Sequence, residues 1–182
     1  FGEVAVADSR RGKGAAITAG FEAVFDRVSV LGFADADGST PADSFAAVVD
    51  RVLDGSADLA AGSRRHPDAD VRSHRTFARR RLGDGFAWLA RQALDSKLHD
   101  YQCGAKALTA EAWERIRPHL YEPGFAWDLE LLAVAGALGV RVREVPITWE
   151  DRPGSTVAPI RTTLSMAKAL VVTRHRAKRL QD

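Results

Sequence analysis

Two carboxylates stand one residue apart at Asp35-Ala36-Asp37, directly after the apolar run 28–34 and directly before Gly38-Ser39-Thr40-Pro41. The run has the length and composition of a buried strand, and the residues after it those of a turn. Side chains at i and i+2 of a strand point the same way. Both carboxylates can therefore reach one point at the strand's carboxyl end, where open α/β sheets bind their ligands. One or two carboxylates, with the remaining positions left to water and phosphate oxygens, are the usual holder of Mg2+, and Mn2+ accepts the same oxygen ligands. Spacing alone serves equally well for an acidic turn in which Asp37 caps the following helix.

Other residues could meet an anionic ligand. Lys13 lies in Arg11-Gly12-Lys13-Gly14, which opens a helix; glycines admit close backbone approach and a helix N-terminus attracts anions. The spacing of a P-loop is absent, and a turn with a solvated lysine fits the same residues. Arg64 follows a strand end, and Arg79 lies one helical turn from Arg75. Guanidinium forks suit phosphate oxygens, although a run of arginines also describes a charged helix face. Asp100 and Gln102 can face one site by strand alternation. Between them and Gly104 sits Cys103, which reads as a small buried thiol. Asp128 and Glu130 interrupt an otherwise apolar helix. Asp128 suits the positive end of that helix; Glu130, if buried, needs a partner, either an arginine or a ligand.

The elements that position these residues follow from periodicity. Strands are expected at 3–7, 28–34, 58–62, 101–108 and 140–149. Helices are expected at 15–25, 41–53, 74–96, 110–117, 127–138 and 159–180. The glycines Gly83 and Gly85 weaken the case for one unbroken helix over 74–96. The opening strand–helix rhythm implies right-handed crossovers and a parallel sheet. The fold class is thus α/β, a mostly parallel sheet flanked by helices, organised as one domain over 1–158 with a basic amphipathic helix over 159–182. Ile160, Leu164, Ala167, Leu170 and Val171 recur at helical spacing beside Arg161, Lys168, Arg174 and Lys178. That pattern suits an anionic membrane surface and packing on the domain equally.

Composition bounds the rest. The 182 residues suffice for one sizeable core, and the apolar share of 46% with 27% charged is ordinary for a globular chain. A net charge of +2 argues against general nucleic-acid binding. The single cysteine rules out an internal disulfide, which fits a reducing compartment.

In order along the chain, several motifs resemble family-2 glycosyltransferases of the GT-A fold, on the side of the dolichyl- or polyprenyl-phosphate hexose synthases. They are Arg11-Gly12-Lys13-Gly14-Ala15-Ala16, Asp35-Ala36-Asp37-Gly38, Gly62-Ser63-Arg64, Asp100-Tyr101-Gln102-Cys103-Gly104, the stretch 124–132, Glu144-Val145-Pro146-Ile147-Thr148-Trp149 and Asp151-Arg152-Pro153-Gly154-Ser155. The resemblance implies metal-dependent, inverting transfer of a hexose from a UDP- or GDP-sugar to a polyprenyl phosphate, peripherally at the cytoplasmic face of a membrane. A soluble acceptor, or a truncated relative without activity, is the alternative. It implies that Asp35 and Asp37 hold Mg2+ or Mn2+, and that Lys13, Arg64 and Arg79 meet phosphates. Asp100, Gln102, Asp128 and Glu130 are implied to line the sugar and acceptor pocket. Where many mannosyl relatives carry a third ligand, often Gln, this chain has Ser39. Relatives also open with a base-gripping segment of Pro-x-Tyr-Asn-Glu type; nothing here matches it, so the domain is expected to be N-terminally incomplete.

Overall fold

The computed structural model describes residues 4–72, 77–150 and 159–181, with the side chains of 77–80, 82 and 159–164 left aside. Arg75 and the motif 151–155 lie outside the described residues, as do the side chains of Arg79, Ile160, Arg161 and Leu164. The element order is α1 (Lys13–Glu22), β1 (Val30–Ala34), α2 (Ala42–Leu53), β2 (Leu59–Ser63), β3 (Asp70–Arg72) and α3 (Phe77–Ala93), then β4 (Ala105–Thr109), α4 (Ala110–Ile116), α5 (Trp127–Ala137), β5 (Val142–Pro146), β6 (Thr148–Glu150) and α6 (Pro159–Lys178).

Helices flank a four-stranded sheet of order β1-β4-β2-β5. Only β2–β5 is parallel; β4 runs antiparallel to both β1 and β2, with Phe33 opposite Lys106 and Ala60 opposite Ala107. This corrects the mostly parallel expectation for the described sheet. β4 is buried on both faces, and a strand buried on both faces reads as a continuous apolar run whose direction periodicity cannot reveal. The direction matters functionally. It brings the residues just before β4 to the same sheet edge as the carboxyl ends of β1 and β2. Two further expectations are revised. Residues 4–7 form no strand and are exposed, with Val4 and Val6 almost fully so. The expected strand 140–149 is two strands, and β6 pairs in parallel with β3, a three-residue strand that periodicity did not reveal.

Two apolar clusters fill the space between sheet and helices. One gathers Phe21, Trp113, Trp127 and the inner residues of α3, α5 and α6; the other lies under α2. Phe21 meets Trp113 edge-on at 5.0 Å, and Phe33 meets Trp127 at 5.6 Å, separations at which aromatic pairs gain beyond their buried area. α5 is buried almost all round, which explains why its two acids must be paired. α6 packs one face on α5 and α3 through Met166, Leu170, Thr173 and Ala177. The stripe anticipated from sequence is therefore split: Leu170 belongs to the core, while Ala167 and Val171 face outward.

Candidate active site

Asp35 leaves the end of β1 and donates its amide to the Gly104 carbonyl at 2.7 Å. Its carboxylate is about two-fifths exposed and lies 2.9 Å from Lys13 Nζ. Asp37 is exposed, and its Oδ1 accepts the Ser39 amide at 2.9 Å, a local hydrogen bond that fixes the turn. Asp37 does not cap α2, whose N-terminus carries no side-chain cap. The loop before β4 is pressed against Asp35: a Cβ at Gly104 would occupy the space of the Asp35 carboxylate. Gly104→Ala is expected to turn Asp35 out of place. Activity should fall by about tenfold or more while the unfolding midpoint moves little, as a paired assay and urea titration would show.

Lys13 begins α1 and is held from two sides. Its ammonium lies 2.7 Å from Asp128 Oδ2 and 2.9 Å from Asp35 Oδ1. Burial works against the Lys13 charge, yet Asp128 and Asp35 outweigh it and keep the ammonium above the usual lysine range. The Ala15 amide donates to the Pro123 carbonyl at 3.0 Å, tying this turn to the loop before α5. Asp128, on the first turn of α5, bridges onward: its Oδ1 accepts Lys106 Nζ at 2.7 Å. Lys106 is fully buried in β4 and also donates to the Cys103 carbonyl at 2.6 Å. Lys106, Asp128, Lys13 and Asp35 thus form a continuous chain of alternating charges that ends at the Asp-x-Asp turn.

Arg64 leaves the end of β2 and is gripped bidentately by Asp100, Nε to Oδ2 at 2.7 Å and Nη2 to Oδ1 at 3.0 Å. The Gln102 and Arg64 amides also donate to Asp100. The guanidinium sits 5.7 Å from the Trp149 ring, a cation–aromatic distance. Burial alone would raise the Asp100 carboxyl, but the Arg64 charge and its hydrogen bonds hold it well below the usual carboxylate range. Asp100 therefore contributes stability that is present above its unfolded value of about 4 and is lost as pH falls through the lower folded value. Urea unfolding between pH 6 and 3 should show the native chain losing stability below about pH 4, with a shallower slope for Asp100→Asn.

The structure assigns the predicted residues to three groups. Asp35, Asp37, Lys13, Arg64 and Gln102 converge on one sheet edge; the Gln102 backbone amide donates to Asp100, while its side-chain carboxamide has no hydrogen bond among the described residues. Asp100 and Asp128 lie behind them, spent on Arg64 and on the two lysines. Glu130 turns away: it is buried, accepts the Tyr121 and Glu122 amides at 2.8 and 2.7 Å, and pairs with Arg176 of α6 at 2.9 Å. Of its two readings, the arginine partner is the one seen. For Arg79, only the backbone position within α3 is described. Cys103 is buried, and burial pushes its thiol up to about 11, with Arg64 pulling partly the other way; it is no thiolate near neutral pH.

Sequence reasoning assigned no role to two residues. Lys106 is a lysine in an apolar strand, and the argument applied to Glu130 applies to it equally. Glu144 of β5 accepts the His99 and Asp100 amides and faces His99 Nδ1 at 2.7 Å, so it holds the loop that carries Asp100. A groove of about 410 Å³ beside β1 is lined by Ile17, Phe21, Val24 and their neighbours. No lining residue is titratable, so it offers no acid–base or metal chemistry.

Among the described residues, no group of three or more His, Cys, Asp or Glu side chains could hold a metal ion. Asp35 and Asp37 nonetheless fit a hard cation that keeps water or phosphate ligands, because both carboxylates face solvent from one turn.

An α/β sheet with an acidic pair at its carboxyl edge, flanked by a lysine and an arginine, is the layout of a GT-A-like fold. The profile described as "Glycosyl transferase family 2" matches residues 3–117, and the chain belongs to that family. It is 36% identical over 168 residues to glycosyltransferase AglD of Haloferax volcanii, covering 91% of this chain and 26% of that protein. It is 33% identical to the dolichyl-phosphate beta-glucosyltransferase of Dictyostelium discoideum and 34% to that of Mus musculus, each covering 91% of this chain and 51% and 52% of the relative. The chain thus spans about half the length of these glucosyltransferases. Among solved structures, glucosyl-3-phosphoglycerate synthase of Mycobacterium tuberculosis with Mn2+, UDP-glucose and phosphoglyceric acid superposes with a TM-score of 0.66 at 18% identity, covering 91% of this chain and 56% of the other. That likeness establishes the fold.

Proposed function

We propose that this chain carries the catalytic core of a transferase that moves a hexose from a nucleotide diphosphate sugar to a polyprenyl phosphate with inversion at the anomeric carbon. The carrying observation is the meeting of Asp35, Lys13 and the Gly104 loop at the sheet edge where Arg64 emerges. The names of the dolichyl-phosphate relatives support the acceptor class and transfer of a glucosyl unit, for which a UDP- or GDP-sugar is the donor class.

Asp35 and Asp37 would hold Mg2+ or Mn2+, which when bound neutralises charge on the leaving diphosphate. Lys13, fixed by Asp128, presents a second positive charge beside it. Arg64, fixed by Asp100, presents a guanidinium for the anionic acceptor. A phosphate monoester has its second pKa near about 6, so it arrives already largely ionised. The protein's task is then to orient it rather than to deprotonate it. This explains why Asp100, Asp128 and Glu130 are committed to buried ion pairs: none is required as a base. Gln102 is the remaining polar side chain suited to a sugar hydroxyl.

No described helix is long and apolar enough to cross a membrane. The outer face of α6 carries exposed Lys168, Arg174 and Lys178, with Arg179 just past its end, beside Val171 and Val172, a combination suited to the anionic cytoplasmic face of a membrane. The test is transfer of labelled glucose from UDP-glucose to an isoprenyl monophosphate by the natural polypeptide that carries this chain. The expected result is metal-dependent product with inverted anomeric configuration; retention of configuration, or transfer undiminished by a chelator, contradicts the reading.

A further inference from the structure

Glu130 is a buried carboxylate that the chemistry above does not use. It stands on the first turn of α5 with its side chain 1% exposed, and a charge so placed is tolerated only when partnered. Its Oε2 accepts the Tyr121 and Glu122 amides at 2.8 and 2.7 Å, and its Oε1 accepts Nη1 of Arg176 at 2.9 Å. The same guanidinium lies 4.8 Å from the Tyr121 ring, a cation–aromatic distance. Arg176 therefore holds the start of loop 120–126 twice, through Glu130 and through the ring. It is brought there by α6, whose neighbouring Thr173 and Ala177 are buried against the domain.

The other side of this loop meets α1. The Pro123 carbonyl accepts the Ala15 amide at 3.0 Å. Gly12 stands at φ 93°, and a Cβ there would run into that same carbonyl oxygen. A Cβ at Gly14 would run into the Glu122 carbonyl oxygen and the Trp127 side chain. Both glycines that flank Lys13 thus lack a side chain where the loop and the start of α5 press against them. The loop is braced from within as well, by the Gly124 amide on Glu122 Oε1 at 3.0 Å. The turn that carries Lys13 takes its shape from this backbone. It needs that shape, because the ammonium must reach Asp128 and Asp35 at once, at 2.7 and 2.9 Å.

We propose that Glu130 and Arg176 are positioning residues for Lys13. They fix loop 121–124, the loop fixes turn 12–14, and the turn sets the ammonium against Asp35. This adds a second support to the one that Asp128 and Lys106 supply directly. The consequence for donor binding rests on the transferase reading above; the mechanical link does not.

The link is tested by hydrogen exchange at single amides in the natural polypeptide that carries this chain, without substrates. Arg176→Gln should speed exchange at Tyr121, Glu122 and Ala15 by about tenfold or more. Ala15 is the discriminating amide, because it bonds to neither Arg176 nor Glu130; a purely local role for Arg176 would leave it at its native rate. Arg176→Lys, which keeps the cation, should bring Ala15 back to within about threefold of native. Arg117→Gln, which removes the Glu22 ion pair from the far end of α1, should not change Ala15. Should Arg176→Gln fail to fold, Glu130→Gln combined with Arg176→Gln leaves no unpaired charge buried. Its neutral hydrogen bonds to the loop are weaker, so Ala15 should still exchange about threefold faster or more. Ala15 at its native rate in the folded variants that lack the ion pair, or accelerated equally in Arg117→Gln, overturns the proposal. UDP-glucose with Mn2+ is then titrated by calorimetry, and Arg176→Gln should bind it about fivefold more weakly or worse, with Arg176→Lys near native. Unchanged donor affinity beside a faster Ala15 overturns the consequence for binding. A native chain that binds no donor defeats the transferase reading and leaves the exchange result to decide the link.

Discussion

Asp35→Ala and Asp37→Ala are each expected to lower the proposed hexose transfer by roughly two to three orders of magnitude, the scale seen when one charge-stabilising group is removed from a transition state. Asp37 is the cleaner case. It is exposed, and its one described bond is the local one to Ser39, so its loss should leave the unfolding free energy within about 1 kcal/mol. Asp35→Ala removes one partner of Lys13 but leaves Asp128 2.7 Å away; the lysine stays anchored and the fold should hold. Steady-state transfer rates, with thermal unfolding run on the same samples, separate the two effects. Normal turnover by both variants contradicts the assignment of the acidic pair.

The largest effect on stability is expected at Lys106 and Asp128. Lys106→Met leaves a buried carboxylate with Lys13 as its one cation. Asp128→Asn strands the fully buried Lys106 ammonium. Breaking a buried pair from one side costs about 3–5 kcal/mol, which for a domain of this size lowers the unfolding temperature on the order of 10 °C. Replacing both partners together, Lys106→Met with Asp128→Leu, should be less damaging than the sum of the single changes, because no unpaired charge remains buried. Calorimetric unfolding of the three variants completes that cycle. Single variants within about 1 kcal/mol of the native chain would show that the chain of charges is not a support of Lys13. The same substitutions should also reduce transfer, since Lys13 reaches Asp35 while held by Asp128.

Much of this architecture was legible in the residues. The run 28–34 ended where the acidic pair begins, Thr109 accepts the Ala112 amide as a helix cap, and α3 and α6 appear as helices close to where spacing put them. What stayed hidden depends on tertiary pairing. β4 is apolar on both faces, so nothing local reveals that it runs antiparallel between β1 and β2. β3 is three residues long and exists by pairing with β6. Residues 4–7 have the alternation of a strand but pair with no strand among the described residues.

In the site, the motif residues were visible as types, but not their division of labour. Asp100, Asp128 and Glu130 look like ligand-facing acids in sequence because burial and partner cannot be read from spacing. The structure spends each on a cation: Arg64, the two lysines and Arg176. Lys106 was missed for the mirror-image reason, a cation whose burial was not assumed. Gly104 and Gly12 were legible as glycines, but what each makes room for is set by residues far along the chain.

The most direct test of the central claim is Mn2+ binding by electron paramagnetic resonance, with UDP-glucose present, in the native chain and in Asp35→Ala and Asp37→Ala. One bound Mn2+ per chain, dependent on the nucleotide sugar and lost in both variants, is the predicted result. Mn2+ bound equally well by the variants, or no Mn2+ bound at all, would contradict it.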